Sequence, residues 1–328
     1  MAISRLTIPS IAVFISALAF GYAAPAAAAA SVKGDYFHTG AGAHYLERAK
    51  GDIVTVPVRG NINVLMGSGA NIVVLSGNEG KFLVDSGIKP SKEKLQEALN
   101  NLSPSPLKYV VNTHWHWDHT DGNEWMHAAG ASIIAQINTL KHLAETTHVD
   151  DWNWTFDPVP AGARPTILVD NEKEFTFAGD TIKVEHFGAG HTDGDVVVYF
   201  EKGDVMALGD AFWNGNYPFI DNEDGGSVNS AIAFANKIID HTTDKTILIP
   251  GHGQVGNRAQ LIEFRDMLVE VRDKVAALKS RGKSLEEVIA AKPTAAFDAK
   301  WGRFVISPEF FTKLVYEGLP ARSKEDPS

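Results

Sequence analysis

From residue 52 to residue 85 the apolar positions fall in short runs separated by Gly-containing turns. Asp52–Val56, Ile62–Met66, Ile72–Ser76 and Lys81–Val84 are predicted strands, with Gly67–Asn71 and Gly77–Gly80 as hairpin loops. The period then changes. Ser91–Leu102 carries apolar residues at helical spacing, with Ser91 placed to cap and Glu93 and Glu97 in the early turns. Leu107–Asn112 reads as a buried strand that feeds a His-rich loop. Further strands are predicted at Ser132–Ala135, Glu174–Phe177, Thr181–Glu185, Val196–Phe200, Val205–Leu208 and Thr246–Ile249, and Gly179-Asp180 forms a hairpin turn. Helices are predicted at Asn138–Glu145, Val228–Ile239 and Arg258–Arg281, the last opening a C-terminal helical extension. A block of strands followed by mixed strands and helices predicts an α+β fold, with sheets covered by helices on their outer faces.

Composition narrows the chemistry. The 328 residues are 44% hydrophobic, enough for a packed core, and no Pro/Ser-rich linker or internal repeat divides them. There is no cysteine, which excludes disulfide scaffolds, thiolate nucleophiles and Cys-held clusters, so any metal must be held by His, Asp or Glu. The net charge of -10 disfavours a nucleic-acid partner or an anionic membrane surface. At the N-terminus, Arg5, an apolar Leu6–Phe20 and an Ala-rich Ala23–Ala30 have the order of a secretory signal peptide cleaved near Ala30. The apolar run is too short for a membrane anchor. The expectation is a periplasmic or secreted protein spanning residues 31–328, a single domain with a small-molecule partner. A homo-oligomer stays open.

One segment concentrates the chemistry: Thr113-His114-Trp115-His116-Trp117-Asp118-His119, directly after a strand. His114 and His116 can share an ion, and Asp118 and His119 can serve a second. Imidazole and carboxylate without thiolate suit Zn²⁺, with Fe and Mn behind it. Three more polar residues stand at strand ends beside glycine: Gly190-His191, Gly209-Asp210 and Gly251-His252.

This order, with Asp85 in Leu83-Val84-Asp85-Ser86-Gly87, resembles the metallo-β-lactamase superfamily. The resemblance implies a four-layer αβ/βα sandwich, with two mixed sheets inside, helices outside and the metal site at one edge. It implies a first metal on His114, His116 and His191, and a second on Asp118, His119 and His252. Asp210 would bridge the two, and Asp85 would orient a ligand histidine. Two Zn²⁺ per chain would hold a bridging hydroxide that attacks the carbonyl of an ester, lactone, thioester or amide. Asp at position 210 resembles the glyoxalase II and lactonase branches, whereas the β-lactamases generally carry Cys or Ser there. β-Lactam hydrolysis is the first alternative. A mononuclear iron enzyme like the persulfide dioxygenases is the second.

The substrate pocket is expected from aromatic residues near the ligands: Trp115, Trp117, Trp213, Tyr217 and Phe219. Tyr217 is expected as a catalytic hydroxyl donor beside Asp118. Trp152 and Trp154 are expected in a lid, and Gly67–Asn71 is expected to cover the substrate. Trp301–Leu314 reads as aromatic packing or a dimer contact.

Overall fold

The structure, a computed structural model, describes residues 36–38 and 40–320; the predicted signal peptide lies outside them. Two sheets form the centre. The first has seven strands in chain order, Val54–Arg59, Ile62–Ser68, Ala70–Gly77, Gly80–Val84, Leu107–Val111, Ser132–Gln136 and Ile167–Val169. The second has six, Glu172–Phe177, Asp180–Glu185, Val197–Phe200, Val205–Ala207, Ile247–Ile249 and Gly256–Asn257. Each sheet begins as an antiparallel meander and turns parallel after its fourth strand, and the second then closes on the antiparallel edge strand Gly256–Asn257.

Alternation along the strands explains the layers. Val64, Val73, Phe82 and Val111 face the second sheet and meet Ile182, Val184, Val198 and Phe200. Their neighbours Leu65, Val74, Leu83 and Val110 face the other way, against Leu95 and Leu99 of the helix Lys92–Leu102 and Met126 of the helix Asn123–Ala128. On the far side Val197, Met206 and Leu248 pack beneath the helices Val228–His241 and Arg258–Ser280 through Ile232, Phe264 and Leu268. Each sheet is thus apolar on both faces, and burying one such side chain is worth about 1.5–3 kcal/mol. The result is the αβ/βα sandwich.

Parallel strands need crossovers, and the crossovers carry the site. Val84 leads into Asp85, Val111 into the His114–His119 loop, Ala207 into Asp210, and Ile249 into His252. All four follow the carboxyl ends of parallel strands, where such sheets place ligand sites.

The structure corrects one expected loop. Strands Ile62–Ser68 and Ala70–Gly77 leave only Gly69 between them, at φ +78°. The Gly67–Asn71 turn is therefore not a free cover. Asn71 donates through Nδ2 to Pro250 O and Gly253 O, both at 2.9 Å, and through its backbone N–H to Gly251 O at 2.9 Å. It clamps the loop that carries His252. The Trp301–Leu314 region is packing: Trp301, Phe311 and Leu314 are buried against the outer helices.

Candidate metal centre

Seven side chains from four segments converge at the sheet ends. His114, His116, His191 and Asp210 form one set, and Asp118, His119 and His252 the other; within each set the ligand atoms lie within 4.8 Å of one another. All seven are buried. Asp210 stands between the sets. Its Oδ2 lies 3.6 Å from His191 Nε2 and 3.9 Å from His114 Nε2, and its Oδ1 lies 3.1 Å from His119 Nε2 and 3.4 Å from His252 Nε2. Asp118 Oδ2 is 3.2 Å from His252 Nε2.

The backbone is built to bring them this close. Gly209 has φ +50°, and a Cβ there would overlap Thr113; a Cβ on Gly251 would fall on the Asp210 carboxylate. Asp85, a non-glycine residue at φ +65°, holds a strained position at the head of the His-rich loop. It accepts from the Thr113 backbone N–H at 2.8 Å, from Thr113 Oγ1–H, and from His119 Nδ1 at 2.8 Å. Asp195 ties down the other loop, accepting from His191 N at 2.5 Å and Thr192 Oγ1 at 2.6 Å.

Outer partners fix which nitrogen faces inward. His191 Nδ1 donates to Phe219 O at 2.9 Å, His119 Nδ1 to Asp85, and His114 Nδ1 meets Thr113 Oγ1 at 3.1 Å. His116 is reversed: its Nε2 is held at 2.9 Å by Asp221, leaving Nδ1 to face His191 Nε2 at 2.9 Å. With these outer nitrogens protonated, the lone pairs point into the cluster.

Burial and mutual proximity set the protonation pattern. Burial holds His116 and His191 neutral, lowering each to about 4. For His252, burial opposes the charge, but Asp210 and Asp118 outweigh it and raise the ring to about 9. His119 is raised for the same reason, by Asp210 and Asp85 against its own burial. Asp210 in turn stays well below the ordinary carboxylate range despite burial, because His252 and His119 face it.

The donor set fits metal ions on an observation of its own. His114 Nε2, His119 Nε2, His252 Nε2 and Asp210 Oδ1 are buried without a hydrogen-bond partner. Buried polar atoms at this density are costly unless something binds them. Nitrogen and oxygen donors without sulfur suit zinc.

The pocket differs from the sequence expectation in part. Above the donors lies a cavity of about 20 Å³, walled by Tyr36, Tyr45, Trp152, Trp213, Phe219 and Ile306 and floored by His116, Asp118, Asp210 and His252. Trp213 and Phe219 therefore line it as expected. Tyr217 does not. It is fully buried behind the site, stacked on Phe311, and its hydroxyl donates to Asp298 Oδ1 at 2.8 Å and Thr294 O at 3.2 Å. A hydroxyl committed there cannot reach the cluster. Trp115 stacks on His142 and Trp117 donates Nε1 to the Tyr36 hydroxyl, so both turn their rings away from the cavity. Sequence reasoning gave no role to Asp195, although it closes the Gly190–Asp195 motif, and passed over Asp221, which stands in no repeated motif, and Tyr36, Tyr45 and Ile306, which lie far along the chain from the ligands.

Residues 65–252 match the model of the metallo-β-lactamase superfamily. The chain is 25% identical over 203 residues to a metallo-β-lactamase type 2 of Bacillus cereus, covering 61% of this chain and 73% of that one. Among solved structures, a metallo-β-lactamase from Pontibacter korlensis superposes with TM-score 0.55 at 20% identity, covering 66% of this chain and 99% of that one. The inverting sec-alkylsulfatase Pisa1 from Pseudomonas sp. superposes with TM-score 0.63 at 17% identity over 81% of this chain and 50% of that one. At these identities the structural likeness concerns the fold. With more than half its length matched and both donor sets in place, the chain belongs to the metallo-β-lactamase superfamily.

Proposed function

We propose that this protein is an exported hydrolase holding two zinc ions, and that it cleaves a small ester, lactone, thioester or amide. The observation that carries the reading is Asp210: one carboxylate oxygen faces His114 and His191, the other faces His119 and His252. A carboxylate so placed can serve two ions at once. His114, His116 and His191 would complete one site, and Asp118, His119 and His252 the other. Bound zinc supplies the Lewis acidity that brings the pKa of water from 15.7 down to about 7 and polarises a carbonyl.

The chain's own residues do the rest. Asp221, Phe219 O and Asp85 hold the outer histidine protons, so ligand nitrogens are presented without reorganisation. The aromatic wall keeps bulk water from the donors, which strengthens every charge interaction inside. Among the described residues no Lys or Arg lines the cavity, which favours a substrate without its own anionic group. That same lack, with Asp at position 210, weighs against β-lactam hydrolysis, the reading that the curated relatives favour by name. A complete second donor set weighs against a mononuclear iron enzyme.

The test assays the zinc-loaded protein on a lactone, a thioester, an ester and a β-lactam, beside His116→Ala and Asp210→Ala. Turnover of an uncharged carbonyl substrate, abolished in both folded variants, is expected. Undiminished turnover in either variant, or a β-lactam as the preferred substrate, would overturn the proposal.

A further inference from the structure

The superfamily match ends at residues 65 and 252, yet the cavity over the donors is closed by residues outside both limits. Tyr36 and Tyr45 come from before the matched region, and Val305 and Ile306 from after it. The helix Ala41–Arg48 lies across the site and brings the Tyr45 ring into a stack on His252, with centroids 5.3 Å apart at 25°. Phe304 packs behind the lining residues without lining the cavity itself. Its ring is 6.1 Å from Tyr45, 6.1 Å from Trp213 and 6.3 Å from His252. Tyr36 stacks on Trp152 at 4.5 Å and accepts from Trp117 Nε1 at 3.1 Å, pinning the start of the segment.

Size then decides what such a wall does. A cavity of about 20 Å³ has room for about one water. Substrate pockets run to about 300–1,000 Å³. An acyl group can reach the donors only by displacing the groups that close the cavity, and the segment easiest to displace is the eight-residue helix. A helix that short is marginal in water by itself, so its order depends on the aromatic contacts just named.

We infer that Tyr45, contributed by the segment before the superfamily region and backed by Phe304 from the segment after it, forms the wall against the acyl group and determines specificity by its size. The inference rests on the hydrolase reading for its substrate and on geometry for its residues. The matched region supplies the metal ligands and the walls Trp152, Trp213 and Phe219, and the flanking segments complete the enclosure with Tyr36, Tyr45, Val305 and Ile306.

The test compares kcat/KM on para-nitrophenyl acetate and para-nitrophenyl octanoate for the zinc-loaded full chain, Tyr45→Ala, Tyr45→Phe and Phe304→Ala. Tyr45→Ala and Phe304→Ala are expected to shift the ratio about tenfold toward the octanoate. Tyr45→Phe is expected to keep the wild-type ratio, because the ring and not the hydroxyl is the wall. An unchanged ratio in the folded Ala variants would overturn the inference, as would an equal shift in Tyr45→Phe. Phe304 is only partly buried, so its variant stands in if Tyr45→Ala fails to fold. A second readout separates this inference from the hydrolase reading: the rate of zinc loss to the chelator pyridylazoresorcinol. If neither ester is cleaved, esters are struck from the substrates of the hydrolase reading, and the zinc-loss rate alone decides on the wall. The wall still predicts zinc loss about tenfold faster in Tyr45→Ala, and an unchanged rate would overturn it.

Discussion

Asp85 offers a perturbation whose two outcomes separate folding from metal binding. Its carboxylate accepts the buried Thr113 N–H and the His119 Nδ1–H, each at 2.8 Å. Asp85→Ala leaves the Thr113 N–H without a partner, at a cost of about 1–3 kcal/mol, and removes a charged hydrogen bond worth about 1.5–3 kcal/mol. The sum, about 3–6 kcal/mol, is a large part of the roughly 5–15 kcal/mol that stabilises an ordinary domain. Asp85→Asn behaves differently. Its oxygen can still accept from Thr113, and Asn tolerates φ +65°. Its amide then faces His119 Nδ1 as a donor. The ring must take the other tautomer, with a proton on Nε2 aimed at Asp210. A protonated Nε2 is not a ligand. Asn should therefore unfold near the wild-type urea midpoint while zinc binding at the Asp118–His119–His252 site weakens about 10–100-fold. Urea unfolding of the metal-free proteins and competitive zinc titration measure the two effects. An Asn variant that binds both zinc ions with wild-type affinity would refute the reasoning.

Other predictions follow from the same geometry. His252 holds a proton up to about 9, so at pH 7 zinc must displace at least that proton, and affinity rises as pH rises toward 9. Calorimetric zinc titration at pH 7 in buffers of different ionisation enthalpy should show proton release of about one or more per chain; no release would contradict the assignment. Tyr217→Phe should cost about 1–3 kcal/mol of stability through the lost Asp298 contact and leave kcat within a few-fold, and a hundredfold fall in kcat would place that hydroxyl in the reaction after all. Processed protein recovered from the exporting host should begin at or near Ser31, and a chain that retains Met1 would contradict the export reading.

The ligands were legible because the fold places them by rules that leave marks in sequence. His114, Asp210 and His252 each follow an apolar strand, the last two beside glycine, and Asp85 ends a strand in the same way. The outer helices were legible from capping and period; Val228–His241 and Arg258–Ser280 start where predicted. Pro57 truncated the first predicted strand, yet the real one runs to Arg59. It is an edge strand, where a missing N–H is tolerated. The turn at Gly69 was expected to cover the substrate from the family resemblance, whereas Asn71 binds it to the His252 loop. Asp221 and Tyr45 were illegible for a different reason. Each contacts its ligand histidine across more than a hundred residues of chain, and no local pattern encodes that meeting. Tyr217 shows the converse: nearness in sequence to Asp210 did not place it in the site, because Asp298 claims its hydroxyl from a segment far downstream.

The central claim is that the two donor sets hold two zinc ions across Asp210. Metal analysis of the purified protein by mass spectrometry, repeated on Asp210→Ala, tests it most directly. The account predicts two zinc ions per chain, one for each donor set, with at least one lost in the variant. A single iron, or two zinc ions retained without Asp210, would contradict it.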